Sequence, residues 1–476
     1  MTNLTLLLPE LVLILGSLAV FAVSLGTGRS KLAATVTAVT SVLTLAACAA
    51  TLNLNGDLFS QALRIDLYSQ LFKIVIALGL VAVTLFGRDL KDIRADIHPE
   101  YFLFLLWGTL GLMILVSSIE LITLFVALEL SSYSLYLLVP LRQERKGLRM
   151  QMESAAKYVM FGIVATGVML FGMSYLFGLT GSTRFHDIAP ALLQRWHDPA
   201  AIVGMVLVLT GIFFKLAAFP MHLWAPDVYQ GASNETTAFI ASVPKAGVIA
   251  VLIRFLLCAS PSDQVLTMFL SIVAICSMFF GNLAALGQKD IKRMLAYSSI
   301  AHAGYVLLGL VTLQDTGYAA SVFYILGFVV MSLASFLVIC SVSRKGENVL
   351  VEDLSGLHSR SPLAAFILGA GMFALAGIPP FAGFMGKFFL LTEALQRGFV
   401  MLVVVAAVNT AIGIYYYLTV VRVMYFSDAG DRPSVKLGAV NATLGIGLIL
   451  IVLALGIIPS RLLDLALVAV RSASDL

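Results

Sequence analysis

Four ionisable side chains stand deep inside long apolar stretches: Glu129, Lys215, Lys245 and Lys387. A charge near the centre of a bilayer costs about 2.5–3.5 kcal/mol, so such residues mark an ion or proton path by default. Lysine suits proton transfer because burial weakens its hold on the proton and a nearby carboxylate strengthens it, whereas arginine stays protonated. We predict a proton gate in which Glu129 approaches Lys215 to retain its proton and withdraws to release it toward Lys245.

Prolines neighbour two of these lysines. Pro220 follows Lys215 by five residues, and Lys387 follows Pro379 and Pro380 in the second half of the chain. A proline removes a backbone donor and breaks a helix, which frees carbonyl groups at membrane depth. Two lysine-bearing broken helices, with the lysines 172 residues apart (387 minus 215), predict corresponding breaks in the two halves of an inverted-repeat transporter.

Four further polar residues leave two interpretations open. His302, eight residues into its apolar run, and His222, beside the first break, are either members of the proton relay or polar residues satisfied near helix ends. Lys73 and Lys157 lie near the ends of their runs, where a long side chain can extend to the lipid headgroups. We include Lys157, His222 and His302 among the candidate relay residues.

Transmembrane helices must position these residues. The chain of 476 residues is 60% hydrophobic and 12% charged, with a mean hydropathy of +0.99, which excludes a water-soluble domain. The first apolar run contains Pro9 and Glu10 and lacks a basic start, so it is interpreted as a span and not as a secretory signal. The pattern predicts an all-α polytopic membrane protein with about fourteen spans near 4–25, 31–52, 66–86, 101–117, 119–139, 154–179, 200–220, 237–257, 264–286, 294–313, 317–341, 361–396, 400–424 and 437–458.

The distribution of basic residues predicts the orientation. Odd-numbered connections hold 18 lysines and arginines, and even-numbered connections together with the C-terminus hold 7. Because cytoplasmic loops collect basic residues, both termini are expected outside the cytoplasm, with Gly147 inside and Thr183 outside. The inner count includes Arg142 and Lys292, and the outer count includes Arg254 at the end of its span. The other five of the 30 basic residues are assigned to spans: Lys73, Lys157, Lys215, Lys245 and Lys387.

The spans group into four expected units. Residues 1–100 form an N-terminal three-helix region, and 437–476 form a last transmembrane helix with a short tail. Between them, 101–257 and 264–424 are the two inverted five-helix repeats, each expected to form a proton half-channel.

Other chemistry is not suggested by the sequence. The four cysteines stand singly, which indicates inert thiols and no disulfide, zinc or iron–sulfur framework. The two histidines lack a haem-binding pattern. Gly386-Lys387 lacks the glycine and hydroxyl residues of a phosphate-binding loop. No metal or cofactor site is expected in this chain.

Four ordered motifs carry a resemblance to a known family: KLAAFPMHLWAPDVYQGA, SVPKAG, KRMLAYSSIAHAGY and LAGIPPFAGFMGKF. Between about Glu120 and Arg422 the chain resembles the antiporter-like membrane subunits of respiratory complex I, and within them the subunit N branch. The resemblance implies a central polar axis containing Glu129, Lys215, Lys245, Lys387 and the additional Lys157.

The resemblance also implies the setting of that axis. It implies a subunit of a proton-translocating NADH:quinone oxidoreductase in a bacterial inner membrane, in which quinone reduction elsewhere in the complex drives pumping. FMN, iron–sulfur clusters and NADH are then expected in partner subunits, with neighbouring antiporter-like and small membrane subunits and the lipid bilayer as contacts, and with no nucleic acid. The alternative is a free-standing or Mrp-type cation/proton antiporter subunit, whose relatives share these motifs. The residues themselves do not distinguish protons from sodium ions.

Overall fold

The computed structural model describes residues 3–26, 29–144, 149–195, 198–260 and 263–474. A two-stranded antiparallel hairpin, β1 (Gly56–Leu58) and β2 (Leu63–Ile65), lies in one connection. Short 3-10 helices cover Ala95–Ile97, Val139–Leu141 and Val351–Leu354. The α-helices are α1 (Asn3–Leu6), α2 (Leu8–Ser24), α3 (Ser30–Ala50), α4 (Leu67–Phe86), α5 (His98–Ser117), α6 (Leu121–Leu138), α7 (Met150–Thr180), α8 (Phe185–Gln194), α9 (Pro199–Leu216), α10 (Ala225–Gly231), α11 (Asn234–Leu256), α12 (Gln264–Leu286), α13 (Ile291–Leu310), α14 (Asp315–Val342), α15 (Leu357–Arg360), α16 (Pro362–Ala376), α17 (Ala382–Gln396), α18 (Val400–Phe426), α19 (Ala439–Ile457) and α20 (Ser460–Ser474).

The predicted all-α polytopic membrane architecture is confirmed. Within the described ranges, eleven helices are long and apolar enough to cross a bilayer. The three remaining predicted spans correspond to the 17-residue helix α2, to the more polar α13, and to the interrupted pair α16 and α17. The total of fourteen spans therefore stays a prediction.

The centre of the molecule is formed by α11 and α14. The apolar stretch of α11 is wholly buried and that of α14 nearly so, and the two helices pack against each other and against α4. A helix that is apolar around its whole circumference is stable only when protein or lipid surrounds it. The central position of α11 encloses Lys245, which lies halfway along it.

Both breaks use the same backbone device. α9 ends at Leu216 and is followed by Ala217, with φ of 60°, and α16 ends at Ala376 and is followed by Gly377, with φ of 85°. In each case the next amide donates to the carbonyl five residues earlier, Ala218 N to Phe213 O and Ile378 N to Phe373 O, both at 3.0 Å. This is the Schellman arrangement, which turns the chain out of the helix and satisfies part of its last turn.

The two lysines lie at different distances from their breaks. Ala217 and Gly377 are 160 residues apart (377 minus 217), whereas Lys215 and Lys387 are 172 apart. Lys215 precedes its break by two residues, and Lys387 follows its break by ten. The prediction of two broken helices is confirmed, and the two lysines lie on opposite sides of their breaks.

The C-terminal unit also differs from expectation. Instead of a short tail, residues Ser460–Ser474 form α20, which packs against α14 and α4. Its buried side chains are Ala466, Ala469, Val470 and Ala473. Their i, i+3, i+4, i+7 spacing gives one apolar face, a periodic signal that a hydropathy average hides.

Candidate functional site

The first charged pair, Glu129 on α6 and Lys215 on α9, is buried but separated. The Glu129 carboxylate accepts a hydrogen bond from Thr166 Oγ1 at 2.7 Å. Lys215 Nζ donates to Ser132 Oγ at 3.0 Å, one helical turn beyond Glu129 on α6. Both side chains therefore meet the same face of α6 but bind neutral partners, so the expected direct ion pair is not formed in this structure.

Lys245 reaches the end of the first broken helix. Its Nζ donates to Leu216 O at 3.1 Å and to Ser299 O at 3.5 Å. The carbonyls in the last turn of a helix lack intrahelical partners and carry the negative end of the helix dipole. The break after Leu216 therefore provides the acceptor that holds Lys245, one residue from Lys215.

Lys387 makes the same kind of contact at the second break. It lies on α17, and its Nζ donates to Ala376 O at 3.0 Å and Leu375 O at 3.4 Å, at the end of α16. Leu216 and Ala376 each directly precede the residue with positive φ. In its contacts, Lys387 therefore corresponds to Lys245 and not to Lys215.

His302 on α13 lies between these two lysines. Its Nδ1 is 2.6 Å from Tyr324 OH and its Nε2 is 3.0 Å from Tyr417 OH, and Tyr417 OH also bonds Ser298 Oγ. A neutral imidazole has one donor and one acceptor nitrogen, so one tyrosine accepts and the other donates. His302 is a satisfied polar residue whose two ring nitrogens contact two hydroxyl groups.

Shared aromatic rings connect the three residues. The Phe328 ring centroid is 5.8 Å from Lys245 Nζ and 4.9 Å from the centroid of His302. The Tyr305 ring centroid is 4.7 Å from Lys387 Nζ and 6.2 Å from that of His302. The structure therefore brings Lys245, His302 and Lys387 together in that spatial order.

His222 has a different environment. It is 2% exposed, stacks on Phe219 and has its ring centroid 4.3 Å from that of Phe280. Among the residues that the structure describes, neither of its ring nitrogens has a hydrogen-bond partner. It is therefore not a satisfied polar residue, and no contact in these ranges joins it to the lysine row.

Lys157 and Lys73 separate into two cases. Lys157 has a side chain that is 40% exposed and binds Glu153 and Asp227, so it lies at the surface of the protein and its partners are carboxylates. Lys73 is fully buried, and its Nζ is 2.6 Å from Glu10 Oε1. The interpretation that Lys73 extends to the headgroups is wrong, because α2 supplies a carboxylate partner inside the helix bundle.

Sequence reasoning missed other buried ionic residues. Arg254, assigned to an outer connection from the sequence, lies in α11 and binds Asp66 through NH2 at 2.8 and 2.9 Å. Arg142, assigned to a loop, is nearly buried and binds Asp92 at 2.5 Å. In both cases the partner is an aspartate of the N-terminal region 1–100. Because buried cations need partners, these aspartates were the signal in the sequence that could have indicated burial.

The described residues contain no group of three or more histidine, cysteine or acidic side chains that could hold a metal ion. The cysteines Cys48, Cys258, Cys276 and Cys340 are unpaired thiols.

The fold and the charged row define a class of protein: a multi-pass helical membrane protein in which lysines bind the ends of two broken helices. The chain belongs to the family described as "NADH:quinone oxidoreductase/Mrp antiporter, TM", whose sequence profile matches residues 118–413.

Relatives match over nearly the whole chain. It is 50% identical to NADH-quinone oxidoreductase subunit N 2 of Opitutus terrae, over 98% of this chain and 97% of the relative. It is 43% identical to the protein of the same name from Solidesulfovibrio magneticus, over 97% of each.

Solved structures show the same fold. A chain of respiratory complex I from Thermus thermophilus with bound aureothin aligns with a TM-score of 0.83 at 31% identity, over 96% of this chain and 98% of that chain. A chain of the Mrp complex from a Dietzia species aligns with a TM-score of 0.88 at 23% identity, over 100% and 98%. The second likeness concerns the fold alone.

Proposed function

We propose that this chain is a subunit-N-type, proton-translocating membrane subunit of a bacterial NADH:quinone oxidoreductase. The single observation that carries this is the row in which Lys245, His302 and Lys387 follow one another between the two helix breaks. The names of its relatives agree with it. FMN and iron–sulfur clusters belong to partner subunits, which supply the redox energy.

The first step of the route is the gate formed by Glu129 and Lys215. With Lys215 on Ser132 and Glu129 on Thr166, the lysine has a neutral acceptor and its proton is free to leave. Movement of the carboxylate toward Lys215 would hold the proton by charge attraction. If the energy of the redox reaction moves Glu129 toward and away from Lys215, it controls when the lysine releases its proton.

The later steps use the groups between the breaks. Lys245 shares the end of α9 with Lys215, so a proton released by one has the other as a nearby acceptor. His302 then exchanges a proton through its tyrosine hydroxyls, and Lys387 receives it at the second break. Lys157 and His222, also expected in the relay, make no hydrogen bond to these groups within the described ranges.

Each repeat supplies one access route in this proposal, 101–257 for the first half-channel and 264–424 for the second. A cavity of about 360 Å³ opens beside Lys289 and Glu352 and reaches Tyr416. Tyr416 donates to Asn282, and its ring lies 4.4 Å from that of Tyr417, which contacts His302. This cavity gives water an approach to the second half of the row.

The proposed setting is the bacterial inner membrane, with both termini periplasmic and with other complex I membrane subunits as lateral neighbours. Quinone is an indirect partner, because its reduction occurs elsewhere in the complex. An Mrp-type cation/proton antiporter subunit is the alternative, since that complex shares the fold.

The test uses the tagged chain purified from native membranes with its partners. Co-purification of flavin and iron–sulfur proteins, with NADH-driven acidification in reconstituted vesicles, is expected for the proposed function. In that complex, Lys215→Ala and Glu129→Ala should lower pumping by about tenfold or more while the partner proteins remain associated. Full pumping in either correctly assembled variant contradicts the assignment of the gate. Isolation without redox partners, together with ion-gradient-driven exchange, favours the antiporter alternative.

A further inference from the structure

A carboxylate on the short helix α10 is held by cations from both halves of the molecule. Asp227 Oδ2 accepts from Lys157 Nζ on α7 at 2.8 Å, and Asp227 Oδ1 accepts from Arg293 NH1 on α13 at 2.7 Å. Helix α7 belongs to the first expected repeat and α13 to the second. Asp227 is therefore an ionic link between the two units that would form the half-channels.

The position of α10 gives this link access to the lysine row. α10 follows the break after Lys215 and leads directly into α11, which carries Lys245. Just before it, Trp224 Nε1 donates to Phe214 O at 2.9 Å, beside Lys215. Within it, Tyr229 OH lies 3.5 Å from Ser299 Oγ, and Ser299 O accepts from Lys245. A shift of α10 would therefore act on the surroundings of both lysines.

The two ends of α10 are held with different strength. At its C-terminal end, the nearly buried Arg142 donates to the carbonyls of Gln230, Gly231 and Ala232 at 3.0–3.2 Å, and Lys292 donates to Ala232 O at 2.7 Å. At its N-terminal end, the side chains of Lys157, Asp227 and Arg293 are 40%, 26% and 28% exposed. Partly exposed ion pairs contribute little each. The C-terminal end is thus held by buried cations. At the other end the backbone of Asp227 accepts from Ser154 Oγ at 2.8 Å, and the partly exposed ion pairs of the Asp227 side chain are the contacts able to exchange.

The spacing of the breaks independently singles out Asp227. The second break lies 160 residues after the first, so Lys387 corresponds in chain position to Asp227 (387 minus 160). In each half a proline stands three positions after the residue with positive φ, Pro220 in the first and Pro380 in the second. Asp227 and Lys387 each follow that proline by seven positions. One half thus places a buried lysine where the other half places a partly exposed aspartate that binds two cations.

We infer that Asp227 is a positioning residue that couples the two repeats through α10, and that Lys157 acts through Asp227 and not as a proton donor in the relay. This inference rests on the proposed pumping function. It predicts that a permanent cation at position 157 is sufficient for normal proton pumping. The relay interpretation of Lys157 requires instead a side chain that can release its proton, which arginine does not do.

The experiment compares Lys157→Arg, Lys157→Met, Asp227→Asn and the double variant Lys157→Met/Asp227→Asn in the whole complex, with Glu153→Gln as the matched control. Glu153 also binds Lys157, but from the same helix, so it does not join the repeats. NADH-driven proton pumping is measured at equal amounts of assembled complex. Lys157→Arg and Glu153→Gln should pump within about twofold of the wild type, while Lys157→Met and Asp227→Asn should lose about two- to fivefold.

The double variant should be no worse than Asp227→Asn alone, because both changes remove the same link. Equal loss in Lys157→Arg and Lys157→Met would overturn the inference, as would wild-type pumping in Asp227→Asn. If Asp227→Asn fails to assemble, the difference in pumping between Lys157→Arg and Lys157→Met decides whether the inference holds. Lys245→Met, measured in parallel, tests the proposed function separately: wild-type pumping there rejects the relay whatever the Lys157 variants do.

Discussion

Buried cations in this protein fall into two groups according to their partners. Lys73, Arg142 and Arg254 each bind a carboxylate within 3 Å. In the described part of the chain, Lys215, Lys245 and Lys387 bind hydroxyl or carbonyl oxygens and no carboxylate. A lysine with neutral acceptors can lose its proton without leaving an unpaired buried anion, whereas a paired cation cannot. Lys292 is also fully buried and binds a carbonyl, Ala232 O, so a neutral acceptor is required by the proposed proton exchange but does not by itself identify an exchanging lysine.

Lys387 offers a direct test of this distinction. If its role is proton transfer, Lys387→Met removes the proton carrier and Lys387→Arg keeps the charge but not its release. Both variants should lower redox-driven pumping by about tenfold or more, with normal assembly, measured as acidification of reconstituted vesicles. Wild-type pumping in the arginine variant would show that the charge at this position acts without deprotonation.

The pair formed by Glu10 and Lys73 should behave in the opposite way. Lys73→Met leaves the Glu10 carboxylate buried without its partner, at a cost of about 3–5 kcal/mol. The double variant Lys73→Met/Glu10→Gln removes both charges and should recover most of the loss. The yield and apparent melting temperature of the purified complex measure this. A double variant as unstable as the single one would contradict a purely structural pair.

Sequence alone predicted that Lys215, Lys245 and Lys387 are deep but not what they contact. The depth of Lys215, Lys245 and Lys387 follows from apolar neighbours along the chain. The carboxylate that binds Lys73 lies 63 positions away on another helix (73 minus 10), and the hydroxyl that binds Lys215 lies 83 positions away. Such contacts depend on how helices pack, which local patterns do not encode.

At the scale of helices, the two breaks combine one backbone geometry with different residues. Gly377 adopts its positive φ at no steric cost, whereas Ala217 adopts it with a Cβ that is unfavourable there. The prolines indicated that breaks exist. They did not show that each helix turns three residues before Pro220 or Pro380, with Lys215 before its turn and Lys387 after it.

Exchanging the two cap residues is expected to give opposite results. Gly377→Ala introduces a Cβ that would lie 3.0 Å from Lys387 Cδ, in a conformation that costs an alanine about 1–2 kcal/mol. Ala217→Gly removes that same penalty at the first break and should be neutral or slightly stabilising. Pumping and apparent melting temperature should both fall in Gly377→Ala. Unchanged values in that variant would show that the cap does not position Lys387.

For the whole molecule, the asymmetry of basic residues survives correction by the structure. Arg254, counted among the outer residues, and Lys292, counted among the inner ones, are both fully buried. Without them the tally becomes 17 against 6, which still favours the same orientation. The tally is robust because loops far apart in the chain contribute to it independently.

The orientation can be measured at the two ends of α7. This helix has 31 residues, or about 46 Å at 1.5 Å per residue, which exceeds the bilayer core of about 30 Å. Residues before and after it must therefore lie on opposite sides of the membrane. Gly147, which lies outside the described residues, is expected in the cytoplasm, and Thr183, just after α7, in the periplasm.

Gly147→Cys and Thr183→Cys, each in a Cys276→Ser background, provide the measurement, because the other three native cysteines are buried. A membrane-impermeant maleimide should label Thr183→Cys in right-side-out vesicles and Gly147→Cys only in inverted ones. Labelling of both from one side would contradict α7 as a span. The reverse pattern would place residue 147 outside and Thr183 inside. It has two explanations: either the number of spans before residue 147 is even, or the N-terminus is cytoplasmic. A terminal tag accessible to protease in right-side-out vesicles separates those two explanations.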